Sequence, residues 1–309
     1  MDKEKLSVIE QLAETYPQLY LDPDKADAEA YKACVQKGER PAECGLSHFA
    51  LDERDRAESV DTPAGTALVI TLYNRSDFEV FVRCMMAARN GPEEIVPAAM
   101  GAATLVTFNW PRINAHKEEF FREQKAAGVL IPDWSAEFSR FTSVKENYQD
   151  LLIVLSCGPY SNVTAEQVNL LQAEAGYRIF SDDEWRNVSG DIRKYHELTH
   201  FVCRKLFPEK INVIWDELVA DAVGICGALG EFRRDLEELF LGISGSSYTG
   251  GRLENYTEEG ADLNSLAAWA GSVLGEFEKT IGMASGMDVF GIMLLLEDSF
   301  DRIMNKGEI

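Results

Sequence analysis

The chain has 309 residues, enough for one large domain or two closely packed ones, and 46% of them are hydrophobic, ample for a core. It sets 30 Lys and Arg against 52 Asp and Glu, a net charge of −22. So acidic a chain repels phosphate backbones and anionic lipid surfaces, so neither nucleic acid nor a membrane is expected as a partner.

Residues 1–60 are polar and charge-rich and read as a helical N-terminal cap, with helices over 4–16 and 25–37 and a loop over 38–45. No long apolar run follows Met1-Asp2-Lys3-Glu4-Lys5-Leu6-Ser7, so no secretory signal is expected. Nor is there a run of about 18 apolar residues for a spanning helix. A strand is expected over 66–73, an amphipathic helix over 77–89 stopped by Asn90-Gly91-Pro92, and a second strand over 103–108. A charged helix follows over 113–127. Leu151-Leu152-Ile153-Val154-Leu155-Ser156 is apolar on both faces and reads as a buried strand. A helix capped by Thr164 runs to 175.

The next helix carries the chemistry. Apolar residues recur near a 3.6 period at Ile192, Tyr195, Leu198, Thr199, Val202 and Leu206. Ser189 and Asp191 offer caps, and Pro208 stops the helix. Within it lies His196-Glu197-Leu198-Thr199-His200. Histidines at i and i+4 project from one helix face and can hold one zinc ion, with Glu197 placed to take a proton from a water at that metal. A second helix over 212–227 is apolar nearly all round, so burial is expected, yet it carries Glu217 and Asp221. With the turn centred near Glu209, an antiparallel hairpin sets Glu217 level with His200 and Asp221 level with His196. That arithmetic gives two imidazoles and a carboxylate as ligands, with Asp221 behind a ligand histidine.

His196-Glu197-x-x-His200 followed by Glu217-x-x-x-Asp221 resembles the gluzincin clan of zinc metallopeptidases, the group that includes thermolysin and the zinc aminopeptidases. The resemblance covers about residues 190–225. It implies His196, His200 and Glu217 as ligands of one zinc per chain, Glu197 as general base and Asp221 as their support. It also implies a zincin-like helical core under a small sheet, with an edge strand that binds extended substrate. One of the strands over 66–73, 103–108 and 151–156 would serve. The gap from His200 to Glu217 is slightly shorter than in thermolysin-like enzymes, which implies a tight hairpin. No histidine follows His200 to stabilise an oxyanion. That role falls to a tyrosine or arginine, and the Gly/Ser-rich stretch over 242–256 supplies Tyr248, Arg252 and Tyr256. The plainer alternative pairs Arg252 with Glu254 or Glu258 and packs the tyrosines.

Helices over 231–241, 263–281 and 288–304 complete the chain. His48 and His116 lack metal-ligand spacing, and neither has a glutamate three residues before it, which argues against a di-iron bundle. Six cysteines without CxxC spacing fit free, mostly buried thiols in a reducing cytoplasm. The expected class is helix-rich α+β, with a cap over 1–60 and a metallohydrolase domain over 61–309 (strands over 61–160, helices over 161–309). The expected function is a zinc-dependent hydrolase acting on a peptide. The alternatives are a zinc hydrolase of a non-peptide amide or small molecule, and a metal-binding protein without catalysis.

Overall fold

The fold comes from a computed structural model and is described for residues 6–42, 44–86, 101–209, 212–284 and 286–304. With 60% of the described residues helical and a small mixed sheet, the class is α+β with helix in the majority. The chain divides into two compact units, residues 1–60 with 67–156 and residues 61–66 with 157–309.

The first unit opens with α1 (Val8–Thr15), held by a Ser7/Glu10 capping box, and α2 (Ala28–Tyr31), which runs on through a wider turn over Lys32–Gln36. Strands β1 (Arg56–Thr62) and β2 (Gly65–Leu72) follow, then α3 (Arg75–Met86), β3 (Ala102–Phe108), α4 (Trp110–Ala126), α5 (Trp134–Phe141) and β4 (Gln149–Ser156). The sheet order is β1-β2-β4-β3. β2 runs parallel to β4, with Leu68 opposite Leu152, and β3 runs antiparallel to β4, with Ala102 opposite Leu155. Leu152, Ile153, Val154 and Leu155 are all buried, as are Val69 and Ile70 on β2. Burial on both faces explains these unbroken apolar runs.

Two expectations change here, and a third cannot be compared. Residues 1–60 are not a separate cap. Ile9, Leu12, Leu19, Tyr20 and Phe49 share one core with Ile70, Phe78, Phe81 and Leu152. This segment also contributes strand β1, whose Arg-Ala-Glu-Ser-Val-Asp-Thr sequence is polar because the strand lies at the sheet edge. Of the three strands considered for substrate pairing, β2 and β4 each have a neighbour on both sides, so among the described residues only β3 is an edge. The expected helix stop at Asn90-Gly91-Pro92 lies outside the described residues.

The second unit is built on two long helices, α7 (Asp182–Leu206) and α8 (Val213–Leu229), preceded by α6 (Ala165–Ala175). α7 begins ten residues before the expected start. Its cap is Ser181, not Ser189 or Asp191: the Glu184 backbone N–H donates to Ser181 Oγ and the Ser181 N–H donates to Glu184 Oε2, closing a capping box. After α8 come α9 (Arg234–Leu241), a two-rung hairpin of β5 (Ile243–Ser244) and β6 (Ser247–Tyr248), a 3₁₀ turn over Arg252–Tyr256, and α10 (Leu263–Gly282). The last expected helix is two, α11 (Val289–Asp298) and α12 (Phe300–Met304), broken at Ser299.

α8 is covered on opposite sides. Leu218, Val219, Ala222 and Val223 pack with Val202 of α7 and with Leu274, Phe277 and Met293. Ile225 packs with Ile192, Trp185, Tyr160 and Phe240. Its all-round apolar sequence is thus the sequence of a central helix. At Gly224 the two helices come so close that a Cβ would lie 2.7 Å from the Ile192 carbonyl oxygen. Among the described residues no helix is long and apolar enough to cross a membrane. All six cysteines are free thiols, and only Cys44 is exposed.

Candidate metal centre

The α7–α8 hairpin brings together His196, His200, Glu217 and Asp221. His200 meets Glu217 (Nε2 to Oε1, 3.3 Å), and His196 meets Asp221 (Nδ1 to Oδ1, 2.9 Å). The pairs run in opposite senses along the two helices, as an antiparallel hairpin requires. One ring nitrogen from each histidine and one Glu217 oxygen lie within 4.8 Å of one another, the only such group able to hold a metal among the described residues. The two Nε2 atoms face each other at 3.0 Å, and His196 Nε2 is 3.6 Å from Glu217 Oε2. Both histidines are buried and Glu217 is half-buried.

Behind this cluster lies a buried polar network. Asp221 is wholly buried. Burial opposes its charge, but the Arg252 guanidinium and His196 outweigh that and hold its carboxyl well below the usual range. Arg252 Nη2 pairs with Asp221 Oδ2, and Nη1 donates to the Tyr160 hydroxyl at 3.1 Å. Tyr160 donates to Asp221 Oδ1 at 2.6 Å and lies 2.8 Å from His196 Nδ1. Its own hydroxyl pKa is driven up by burial and by the Asp221 charge. For Glu217, burial again opposes the charge, while its hydrogen bond with His200 and the nearby histidines bring the carboxyl below its ordinary value.

The donor set fits a divalent metal that takes nitrogen and oxygen ligands. His196 Nδ1 faces the Asp221 carboxylate, which can only accept, so that nitrogen carries a proton, while Nε2 faces Glu217 and His200 on the side where a metal would take its lone pair. A metal-binding histidine needs this tautomer.

Glu197 is half-buried at the next position of α7, within electrostatic reach of His196 and of Arg193 one turn earlier. Arg193 is buried, donates to the carbonyls of Gly158 and Pro159, and lies over the Tyr160 ring. The three candidates from the Gly/Ser stretch separate. The Tyr248 hydroxyl is closed within its own loop, donating to Gly251 O and accepting from Gly251 N–H, both at 2.9 Å. Arg252 is committed to Asp221 and Tyr160, not to Glu254 or Glu258. Tyr256 alone reaches the ligand set. Burial raises its hydroxyl pKa, and a hydrogen bond to Glu217 contributes.

Sequence reasoning missed Tyr160, Arg193 and Glu237. Tyr160 has one local sign, the Gly158-Pro159 turn directly after a buried strand. Glu237 on α9 is fully buried with both carboxyl oxygens unpartnered, and burial together with the nearby Asp221 charge drives its pKa well up. The other two histidines have structural partners: His48 pairs with Asp22, and His116 pairs with Glu137 and stacks on Phe141.

Fold and site together define a helix-rich α+β protein whose central helical hairpin carries a two-histidine, one-carboxylate cluster able to hold a metal. The chain belongs to DUF7005, a family of unknown function, whose family model matches residues 1–280. No curated protein and no solved structure matches it.

Proposed function

We propose that this chain is a zinc-dependent hydrolase, with peptides as its substrates. The observation that carries the reading is the convergence of His196, His200 and Glu217 within 4.8 Å, with His196 Nδ1 tied to a buried carboxylate. Zinc held by these three side chains would supply Lewis acidity and lower the pKa of a water in the open position. Glu197, next to the first ligand on α7, takes the proton from the attacking water and passes it to the leaving amine. Tyr256, which reaches Glu217, would donate to the carbonyl oxygen as negative charge develops there. Asp221 keeps the His196 ring in register. Together with the resemblance of His196-Glu197-x-x-His200 and Glu217-x-x-x-Asp221 to the gluzincins, this supports a zincin-like core. The expected setting is the cytoplasm.

Glu197→Gln tests the reading. The amide has nearly the same shape but cannot accept a proton, so the variant is expected to keep zinc and fold while losing hydrolysis of a mixed peptide library. Retained turnover would assign the base elsewhere. Turnover of small amides with none of peptides would keep the chemistry and change the substrate class.

A further inference from the structure

We propose that the turn joining α4 to α5, with the aromatic rings at its base, is a docking surface for a second copy of this chain. The proposal is independent of the metal-centre reading.

The turn presents apolar side chains to solvent. Leu130 is 97% exposed and Ile131 89%, and Val129 beside them is also exposed. α5 has no buried residue. Its Trp134 lies against Phe120 and Phe121 of α4, and Phe141 stacks on His116. A single exposed apolar residue is ordinary. Two consecutive ones with almost no cover, next to an aromatic cluster, mark an interaction surface.

The turn is also held in one shape. Gly128, with φ of 74°, takes the left-handed conformation past the end of α4. The Val129 N–H donates to Gln124 O at 3.0 Å and the Gly128 N–H to Lys125 O at 3.2 Å, the bond pair of a Schellman motif. On the far side the Asp133 side chain accepts from the Ala136 N–H at 3.0 Å and caps α5. Pro132 between them has a fixed φ. The apolar tip is thus ordered before any partner arrives, which lowers the entropy cost of binding.

Charge selects the occupant. The whole chain sets 30 Lys and Arg against 52 Asp and Glu, but residues 110–145 set six against five. Several of these close on one another: Glu119 with Arg122, and Glu137 with Arg140 and His116. Lys117 lies over the Trp134 ring. A two-fold contact sets a patch against its own copy, so any excess of one sign meets its like. Two chains at −22 repel each other, and on this surface the contact meets no acidic excess. A tip of this size makes a weak, reversible dimer.

The test is sedimentation velocity of the full chain from about 1 to about 100 µM, in low and in high NaCl. Wild type is expected to pass from monomer to dimer with a dissociation constant on the order of 10 µM. Salt screens the repulsion between acidic chains, so the dimer is expected to tighten as NaCl rises. Leu130→Glu with Ile131→Glu sets like charges at the contact and is expected to weaken association by about 10-fold or more. Circular dichroism of that variant is expected to match wild type, because both side chains are exposed. Should it not fold, Leu130→Ser alone reads the same loss. A wild type that stays monomeric at every concentration in both salts would overturn the proposal, as would a dimer that these substitutions leave unchanged. So would a monomeric wild type that floats with phosphatidylcholine vesicles while the double variant does not, since the turn would then belong to a lipid surface.

Discussion

Asp221 has no exposed surface, yet it remains charged because Arg252 and His196 answer it, at a place where an unpaired carboxylate would be severely destabilising. Asp55 in the first unit shows the opposite case. Its Oδ1 accepts from the Tyr73 N–H at 2.9 Å, its Oδ2 is buried without a partner, and burial pushes its pKa from 3.8 up to about 6. The folded state therefore holds a proton that the unfolded chain releases, and stability falls as pH rises from about 4 to about 6. Asp55→Asn keeps the bond to Tyr73 through its amide oxygen and removes the charge. The variant should match wild type near pH 4 and exceed it by about 1–2 kcal/mol at pH 7. Urea unfolding at the two pH values checks this; a gap that does not widen toward pH 7 contradicts it. At this scale the sequence was legible where spacing on helices decides contact, as for His196, His200, Glu217 and Asp221. It was not legible for Tyr160, 36 residues before His196, or for the role of Arg252, 31 residues after Asp221. Both reach the site from irregular backbone, including left-handed Ser161 and Asn162, whose path no periodicity encodes.

The elements were legible in proportion to their burial. β2, β4 and α8 carry strong apolar patterns and fall where expected. α5, with no buried residue, and the polar edge strand β1 do not declare themselves, because pairing and local capping hold them more than apolar burial does. α7 was read ten residues short because its start lies in a polar capping box, Ser181-Asp182-Asp183-Glu184, ahead of the apolar repeat. The contact between α7 and α8 sets the spacing of His196, His200 and Glu217, and Gly224 sets the contact. A methyl there would stand 2.7 Å from the Ile192 carbonyl oxygen and 3.1 Å from its Cγ2, one turn before His196. Gly224→Ala must push the helices apart, at a cost of about 1–3 kcal/mol. Zinc affinity should fall with stability, since the donors on α7 and α8 separate. Thermal unfolding and chelator competition measure the two; wild-type values in both would mean the helices are not so closely packed.

For the whole molecule, the α+β class and its helical majority were legible in the sequence, but the division between units was not. The boundary follows shared cores, which join residues 9–49 to the sheet, and a polarity shift near residue 60 does not report that. In the proposed function, the second unit is organised around a metal held by both helices of its hairpin. Bound zinc would then stabilise the fold by mass action, by about 2.7 kcal/mol at one hundred times its dissociation constant. The direct measurement is the metal content of the purified full-length chain by elemental analysis, before and after zinc loading. About one zinc per chain is expected. That zinc should be lost in His196→Ala, His200→Ala and Glu217→Ala and retained in Glu197→Gln. A wild-type protein that holds no transition metal even after zinc loading would contradict the proposed function.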